Sequence, residues 1–374
     1  MARKIILSLI PLLLFPPVGL PAESTDSPLV FEHRVIDPKG PENPWIKIEA
    51  ELEGSRISSV LIGGQKGPLV FYTPPDWKKV QIAKDAYHTV DGECGDIDGD
   101  GDLDVVIGME YWYENPRPQG RPARDPWKAH PISELPTHDI ELADLNGDGK
   151  MDIIARDQSG FGTKAGNRIH LRFQETPDRW TYRAFDCPHG EGLCVGDLDR
   201  DGDPDILVGG QWFENSGRAP QDPWKPHTIT TNWHEDTSIA LGDMNGDARP
   251  DVVLTRSEGP YRLSWFEAPA DPKIPEWKEH TVDSSVDFAH GVTLGDLDRD
   301  GDLDIATAEM HQSARRRVMV FWNLKSGSLW SRQILAETGS HNIRLSDFNQ
   351  DGRLDLLGAN WSGKYQPVEA WLWK

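Results

Sequence analysis

Cysteine is scarce in this chain: 374 residues hold three, Cys94, Cys187 and Cys194, so no disulfide framework organises it. Cys187 and Cys194 flank Pro188-His189-Gly190-Glu191-Gly192-Leu193. Two readings stay open there, a small disulfide or a Cys-His metal knuckle with His189. Positive charge is also short, 39 Lys and Arg against 61 Asp and Glu, for a formal net charge of −22. That deficit argues against nucleic acid or an anionic membrane as a partner, since both call for a basic face. The N-terminal apolar stretch at 5–15 falls well short of the roughly 20 residues that a membrane span needs. It follows Arg3 and Lys4 and leads to Leu-Pro-Ala, the layout of a secretory signal over 1–22, so the expected location is secreted or periplasmic. A Gly-x-Ser-x-Gly elbow, a phosphate loop and a dinucleotide fingerprint are all missing. No linker or low-complexity segment divides the remainder, 23–374.

What the chain has in abundance is one acidic motif. The stretch GDIDGDGDLDVV at 95–106 recurs as ADLNGDGKMDII, GDLDRDGDPDIL, GDMNGDARPDVV, GDLDRDGDLDIA and SDFNQDGRLDLL. Each copy places side-chain oxygens at relative positions 1, 3, 5 and 9, and five of the six carry glycine at 6. Ligands on alternate residues can wrap one hard cation while the glycine takes the sharp bend, as in the front of an EF-hand loop. The expected calcium ligands are Asp96, Asp98, Asp100 and Asp104; Asp144, Asn146, Asp148 and Asp152; Asp197, Asp199, Asp201 and Asp205. They continue with Asp243, Asn245, Asp247 and Asp251; Asp296, Asp298, Asp300 and Asp304; Asp347, Asn349, Asp351 and Asp355. Asp-Gly and Asn-Gly are also ordinary hairpin signals, but six copies, each followed by a short apolar run, exceed what turns require. Five or six Ca²⁺ are expected, the weakest at 243–251, where Ala248 replaces the glycine and Arg249 follows it. Six divalent ions would offset half of the −24 left when Arg3 and Lys4 depart with the leader. The folded state should therefore depend on calcium.

The first aspartates of the six loops stand 48, 53, 46, 53 and 51 residues apart, enough for four short strands and their turns, which is one propeller blade. An aromatic strand follows the apolar run, as in YWYENP, QWFENS, SWFEAP and MVFWNL. A Trp-containing strand follows that, as in DPWKAHPI, DRWTYRAF, DPWKPHTI, PEWKEHTV and SLWSRQIL. These predicted third and fourth strands use tryptophan for packing between blades, and their histidines, His130, His227 and His280, read as structural. Residues 45–83 read as a degenerate first blade without a loop. Residues 29–36 read as a fourth strand with no blade, and the last copy stops before its fourth strand. Pairing these two ends in one sheet removes an exposed edge. The expectation is an all-β, seven-bladed β-propeller with six Asp-rich calcium loops, closed by its N- and C-terminal strands.

The D-x-D-x-D-G loop between the first two strands of a blade resembles the FG-GAP/VCBS repeat family, whose members include the calcium-loop blades of integrin α-subunit propellers. The resemblance covers nearly all of the mature chain.

Strands within a blade run antiparallel, so segments before strand one and after strand two emerge opposite the calcium loops. Before strand one lie His138, His290 and His341, each six residues ahead of its loop aspartate, and His88 and His189, each eight ahead. Those offsets share parity, which predicts one common face. Glu191 fills the same place in the fourth blade, Glu235 lies eight ahead in the fifth, and His234 is out of phase. After strand two come Glu110, Asp157, Gln211, Arg256, Glu309 with His311, and Asn360 with Trp361. Imidazole plus carboxylate suits Zn²⁺, Mn²⁺ or Fe²⁺ rather than calcium. His88, His138, His189, His290 and His341 are the expected ligands of a divalent transition metal or of substrate. Glu110, Asp157, Glu309 and Glu191 are the acid/base candidates, and Arg256 would hold a polar or anionic group.

A metal polarising a carbonyl or hydroxyl beside a proton-transferring carboxylate suits β-elimination, dehydration or hydrolysis. Calcium-loop blades with histidines at the strand-one entry are similar to the propeller domain of aldos-2-ulose dehydratases. The similarity implies a sugar-facing, metal-binding propeller of the carbohydrate lyase or dehydratase type. The alternative is a non-catalytic propeller that binds carbohydrate or protein, which would need aromatic platforms and amides where this chain concentrates titratable groups.

Overall fold

Each blade is a four-stranded antiparallel sheet, and seven such sheets follow one another along the chain. The computed structural model describes residues 31–63, 67–84, 91–135, 137–157, 166–360 and 366–374. The leader expected at 1–22, His88 and Trp361 lie outside the described residues. Phe31–Lys374 forms one compact unit, and no helix among the described residues is long and apolar enough to cross a membrane. The first strands of the blades are Ile46–Ala50, Gly92–Gly95, Thr137–Ala143, Cys194–Gly196, Thr237–Gly242, Ala289–Gly295 and Asn342–Ser346. Each touches the first strand of the next blade, and the seventh touches the first, so these strands line a central channel. The seventh blade takes its outer strand from the N-terminal side: Phe31–Asp37 pairs antiparallel with Val368–Trp373, Phe31 opposite Trp373.

Second strands such as Asp104–Ile107 and Asp205–Val208 are buried throughout. Blades cover both faces of one another, which explains continuous apolar runs where a half-exposed sheet would alternate. Ile46, Leu61 and Phe71 of blade 1, for example, pack on Val105, Ile107 and Trp127 of blade 2. Trp112, Trp212 and Trp265 are buried and stack on His130, His227 and His280 at 4.0, 4.5 and 4.0 Å. Those histidines hydrogen-bond Glu114, Glu214 and Glu267 at 2.8, 2.7 and 2.8 Å, which makes them part of the blade's packing.

The ninth-position aspartates knit each acidic loop to its blade. Asp104 accepts the Ile97 amide at 3.0 Å and the Asn115 amide at 2.8 Å. Asp152, Asp205, Asp251, Asp304 and Asp355 repeat the pattern with Leu145 and Gln174, Leu198 and Asn215, Met244 and Ala268, Leu297 and Asn323, and Phe348 and Trp373. Side-chain amides of Asn115, Gln174, Asn215 and Asn323 reach back to carbonyls of Leu52, Ile97, Leu145 and Met244. Four of the six loops are thus tied to the preceding blade. In the fifth blade Ala248 adopts the left-handed φ of 64° that glycine takes elsewhere. The Arg249 guanidinium pairs with Asp247 and its Nε donates to the Ala268 carbonyl at 2.8 Å, so a fixed positive charge already sits in that loop.

All three cysteines are free thiols. Cys187 packs into the apolar cluster between blades 3 and 4, and Cys194 into the one between blades 4 and 5. Opposite sides of one sheet hold them, which corrects both open readings of that stretch, the disulfide and the metal knuckle.

Candidate functional site

Six residues ahead of each loop, His138, Glu191, His290 and His341 occupy equivalent places in blades 3, 4, 6 and 7. In a regular strand the next residue would point away from the channel. Pairing registers slip between Thr137 and Ile140 and between Ala289 and Gly291. A bulge adds a residue to one side and re-aims its neighbours, so His138 and Asp139 both line the channel; in blade 7 His341 precedes the strand Asn342–Ser346 and lines it together with Asn342.

Three of these side chains converge. Glu191 Oε2 lies 3.2 Å from His138 Nε2, and Oε1 lies 3.5 Å from His290 Nε2. The candidate ligand atoms of the three are all within 4.8 Å of one another. His341 stacks on His290 with ring centroids 3.9 Å apart. The far ring nitrogens are oriented too: His138 Nδ1 is 3.1 Å from Asp139 Oδ1, and His290 Nδ1 is 3.2 Å from Asn342 Oδ1. Such outer partners fix the tautomer and angle of a metal-binding imidazole.

Glu191 stands outside the regular strand and is held by its surroundings. Gly190 and Gly192, on either side, have φ of 126° and 97°. A Cβ there would fall 2.1 Å from the Glu235 carbonyl and 2.2 Å from that of Thr237, so only glycine lets this backbone lie against blade 5. The Glu191 carbonyl accepts the Thr237 amide and hydroxyl, and its side chain accepts from the Ser257 hydroxyl. From the other side, buried Arg156 donates to the carbonyls of Gly166, Gly192 and Pro188 at 3.0, 2.9 and 2.6 Å. Arg156→Met strands these carbonyls, and at about 1–3 kcal/mol per buried unsatisfied group we expect a loss of about 2–4 kcal/mol. Urea denaturation reads it, and a midpoint equal to wild type would show the clamp to be dispensable.

Burial alone pulls the His138 imidazole down, but the Asp139 and Glu191 carboxylates outweigh it and raise its pKa to about 9. Burial likewise favours the neutral form of Asp139, yet the His138 charge lowers it to about 2. Burial pushes Glu191 up to about 7, against the pull of His138. His290 is lowered by burial and by the His138 charge, and His341 is lowered further by burial and by His290. Two neutral imidazoles and a buried carboxyl therefore face one space, a cavity of about 270 Å³ lined mainly by polar groups.

Sequence reasoning placed other residues beside these, and the structure separates them. His189 pairs with Glu235 at 2.8 Å away from the cavity. His189 and Glu191 both precede the strand Cys194–Gly196, and Gly190 between them has φ of 126°, so strand parity does not relate them, which corrects the common-face expectation. Glu309 is fully buried, ion-paired to Arg317 and bonded by the Ser313 hydroxyl and the Arg317 and Asp287 amides. Asp157 accepts the Arg168 amide at 2.9 Å, and Arg256 donates to the Pro260 carbonyl at 3.3 Å, each bracing its own hairpin. Glu110 is buried at the turn after the second strand of blade 2, its carbonyl accepting the Ile132 amide. None of Glu110, Asp157, Arg256 and Glu309 lines the cavity, because the chain leaving strand two turns away from the axis that strand one follows.

Sequence reasoning also missed residues. Asp91 and Asp139 lie five ahead of their loops, and Glu93, Glu141 and Arg344 three ahead, while Glu49 of blade 1 stands one place off that register, opposite Val60 as Cys94 is opposite Val105. All line the cavity. The period-2 spacing of the five-ahead and three-ahead positions was the signal that would have found them. Glu258, beside the Ser257 that anchors Glu191, is pushed up to about 7 by burial and by the Glu191 charge.

The FG-GAP-like repeat family matches residues 96–155, 197–254, 243–307 and 296–358, more than half of the chain. No curated protein matches the sequence. Among solved structures, a chain from the crystal structure of the Mitotic Checkpoint Complex aligns with a TM-score of 0.59 and 11% identity, covering 98% of this chain and 99% of that one. Similarity at that identity speaks to the fold alone.

Proposed function

This chain belongs to the FG-GAP-like repeat family, and from that premise we propose that it is an exported, calcium-stabilised propeller acting as a metal-dependent enzyme on a sugar or sugar-derived ligand, of the lyase or dehydratase type. The observation that carries the reading is the convergence of His138, Glu191 and His290 within 4.8 Å at the wall of a polar cavity. Two imidazoles and one carboxylate suit Zn²⁺, Mn²⁺ or Fe²⁺ and leave coordination positions open. A divalent ion held there supplies a Lewis acid for a carbonyl or hydroxyl. Asp139 and Asn342 keep the two imidazoles aimed at the cavity, and Glu258, which interacts by charge with Glu191, His290 and His138, is a neighbouring carboxyl able to exchange a proton with them. A lining rich in carboxylates, with Asn342, Ser238 and Thr293 among them, suits a ligand that presents many hydroxyls.

Elemental mass spectrometry on protein purified without added metal tests this. Five calcium ions per chain, the loop at 243–251 staying empty, plus about one transition metal are expected. His138→Ala/His290→Ala should keep the calcium and lose the transition metal. Calcium alone in the wild type, unchanged in a folded double variant, would overturn the metal centre and favour a non-catalytic carbohydrate- or protein-binding propeller.

A further inference from the structure

Beyond the His138–Glu191–His290 tier, the same cavity continues to a second tier three residues further along the first strands. Arg344, Glu49, Glu93 and Glu141 stand there on the adjoining blades 7, 1, 2 and 3. Arg344 Nε lies 3.4 Å from Glu49 Oε2, so the one guanidinium of the lining is in contact with one of its acids. Among the described residues neither Glu93 nor Glu141 pairs with another side chain through a hydrogen bond, and Glu93 accepts the Cys94 amide. Burial and the neighbouring acids push Glu93 to about 7 and Glu141 well above the carboxylate range. Arg344 draws on both, but one guanidinium shared among Glu49, Asp91, Glu93 and Glu141 leaves an excess of negative charge on adjoining strands, which is unfavourable.

The roof of this cavity is a built site: Glu191 and His138 are 1% and 4% exposed and aimed into it. Six carboxyl groups line the space against one guanidinium, which opposes an anionic ligand. The lower glutamates do not gather within 4.8 Å of one another as the roof ligands do, so they are spread too widely to chelate a bare ion. An ammonium group, with three N–H donors pointing apart, can reach separate carboxylates. Three strand residues separate His138 from Glu141, about 10 Å, a span that one aminated sugar ring bridges with side chains closing on it from both tiers.

Building on the sugar-active reading above, we propose that the ligand of this cavity carries a cationic amine alongside its hydroxyls, as an amino sugar does, with the ammonium seated between Glu93 and Glu141. The class excluded is the uronic acids.

Titration calorimetry with 2-amino-2-deoxyglucose, glucose and glucuronate, three probes of one skeleton, tests the assignment at a pH that keeps the amine charged. The amine should bind at least about tenfold tighter than glucose, the scale of one added charge-assisted hydrogen bond, with glucuronate weakest. In Glu93→Gln/Glu141→Gln the amine should fall to the affinity of glucose, with glucose unchanged. If the double variant does not fold, Glu141→Gln alone should weaken amine binding by about threefold or more. Equal affinities in the wild type, or an amine preference that survives the substitutions, would overturn the proposal. Metal content on the same samples separates the two readings. One transition metal with no amine preference overturns this inference and leaves the metal centre standing. An amine preference in protein without transition metal does the reverse.

Discussion

Removing calcium should unfold this protein. In the first loop Asp96 already accepts the amides of Gly99 and Gly101 at 2.8 and 3.1 Å, and the buried ninth aspartate braces the loop from below. The loop backbone thus already gathers around Asp96. The carboxylates are crowded: oxygens of Asp96, Asp98 and Asp104 lie within 4.8 Å of one another, as do those of Asp197, Asp199 and Asp205, and of Asp296, Asp298 and Asp300. Two unit charges at 4 Å repel by about 1 kcal/mol in water and by about 4 kcal/mol near a protein surface. Each loop without a cation carries several such pairs. A site held at about 100 times its Kd contributes about 2.7 kcal/mol, so five sites together rival the ~5–15 kcal/mol that stabilises a whole domain. Melting followed by circular dichroism should show a drop of tens of degrees in EDTA, restored by calcium and poorly by magnesium. The calcium count should be five, because the Arg249 guanidinium already answers Asp247 in the loop at 243–251. An unmoved melting temperature in protein shown to be free of calcium would mean that these loops are acidic turns and nothing more.

The fold was legible because its unit repeats. The spacing of loop aspartates gave the blade, the apolar run after each loop gave the doubly covered second strand, and the unmatched segment near Phe31 gave the closure with Trp373. The site was legible only in part, for a physical reason. Counting offsets back from a loop treats a strand as regular, and His138 and His290 satisfy the count because both stand at the same six-residue offset. The bulge at Thr137–Ile140 then breaks parity and brings Asp139 into the channel, and in blade 4 the strand begins only at Cys194, with Gly190 at φ 126° between His189 and Glu191, which removes the warrant for His189. In the second tier Glu93, Glu141 and Arg344 obey plain alternation but carry no histidine, and so drew no notice, and Glu49 stands one place out of their phase. Glu309 failed as a catalytic candidate because its partner, Arg317, lies in the next strand, where sequence offsets say nothing about pairing.

That contrast between two buried glutamates supports the other large prediction. Glu309 is 0% exposed and Arg317 is 3% exposed at the side chain, and besides the guanidinium the carboxylate accepts the Ser313 hydroxyl at 2.9 Å and two backbone amides. Glu309→Gln leaves the Arg317 charge buried with no counter-ion, and breaking such a pair costs about 3–5 kcal/mol. Glu191→Gln differs in sign. Burial already favours the neutral Glu191 carboxyl, and glutamine keeps an oxygen for the Ser257 hydroxyl, so the metal-free fold should lose less than about 1 kcal/mol. What it should lose is the transition metal, since a neutral amide is a poor replacement for a carboxylate on Zn²⁺, Mn²⁺ or Fe²⁺. Urea denaturation in EDTA-free calcium buffer and metal content on the same two variants would separate the roles. Glu309→Gln should unfold early with its metal intact while folded, and Glu191→Gln should unfold on schedule with the metal gone. The opposite pattern would return Glu309 to the active site and make Glu191 a structural residue, because a buried carboxylate whose removal destabilises the fold without touching the metal is part of the packing.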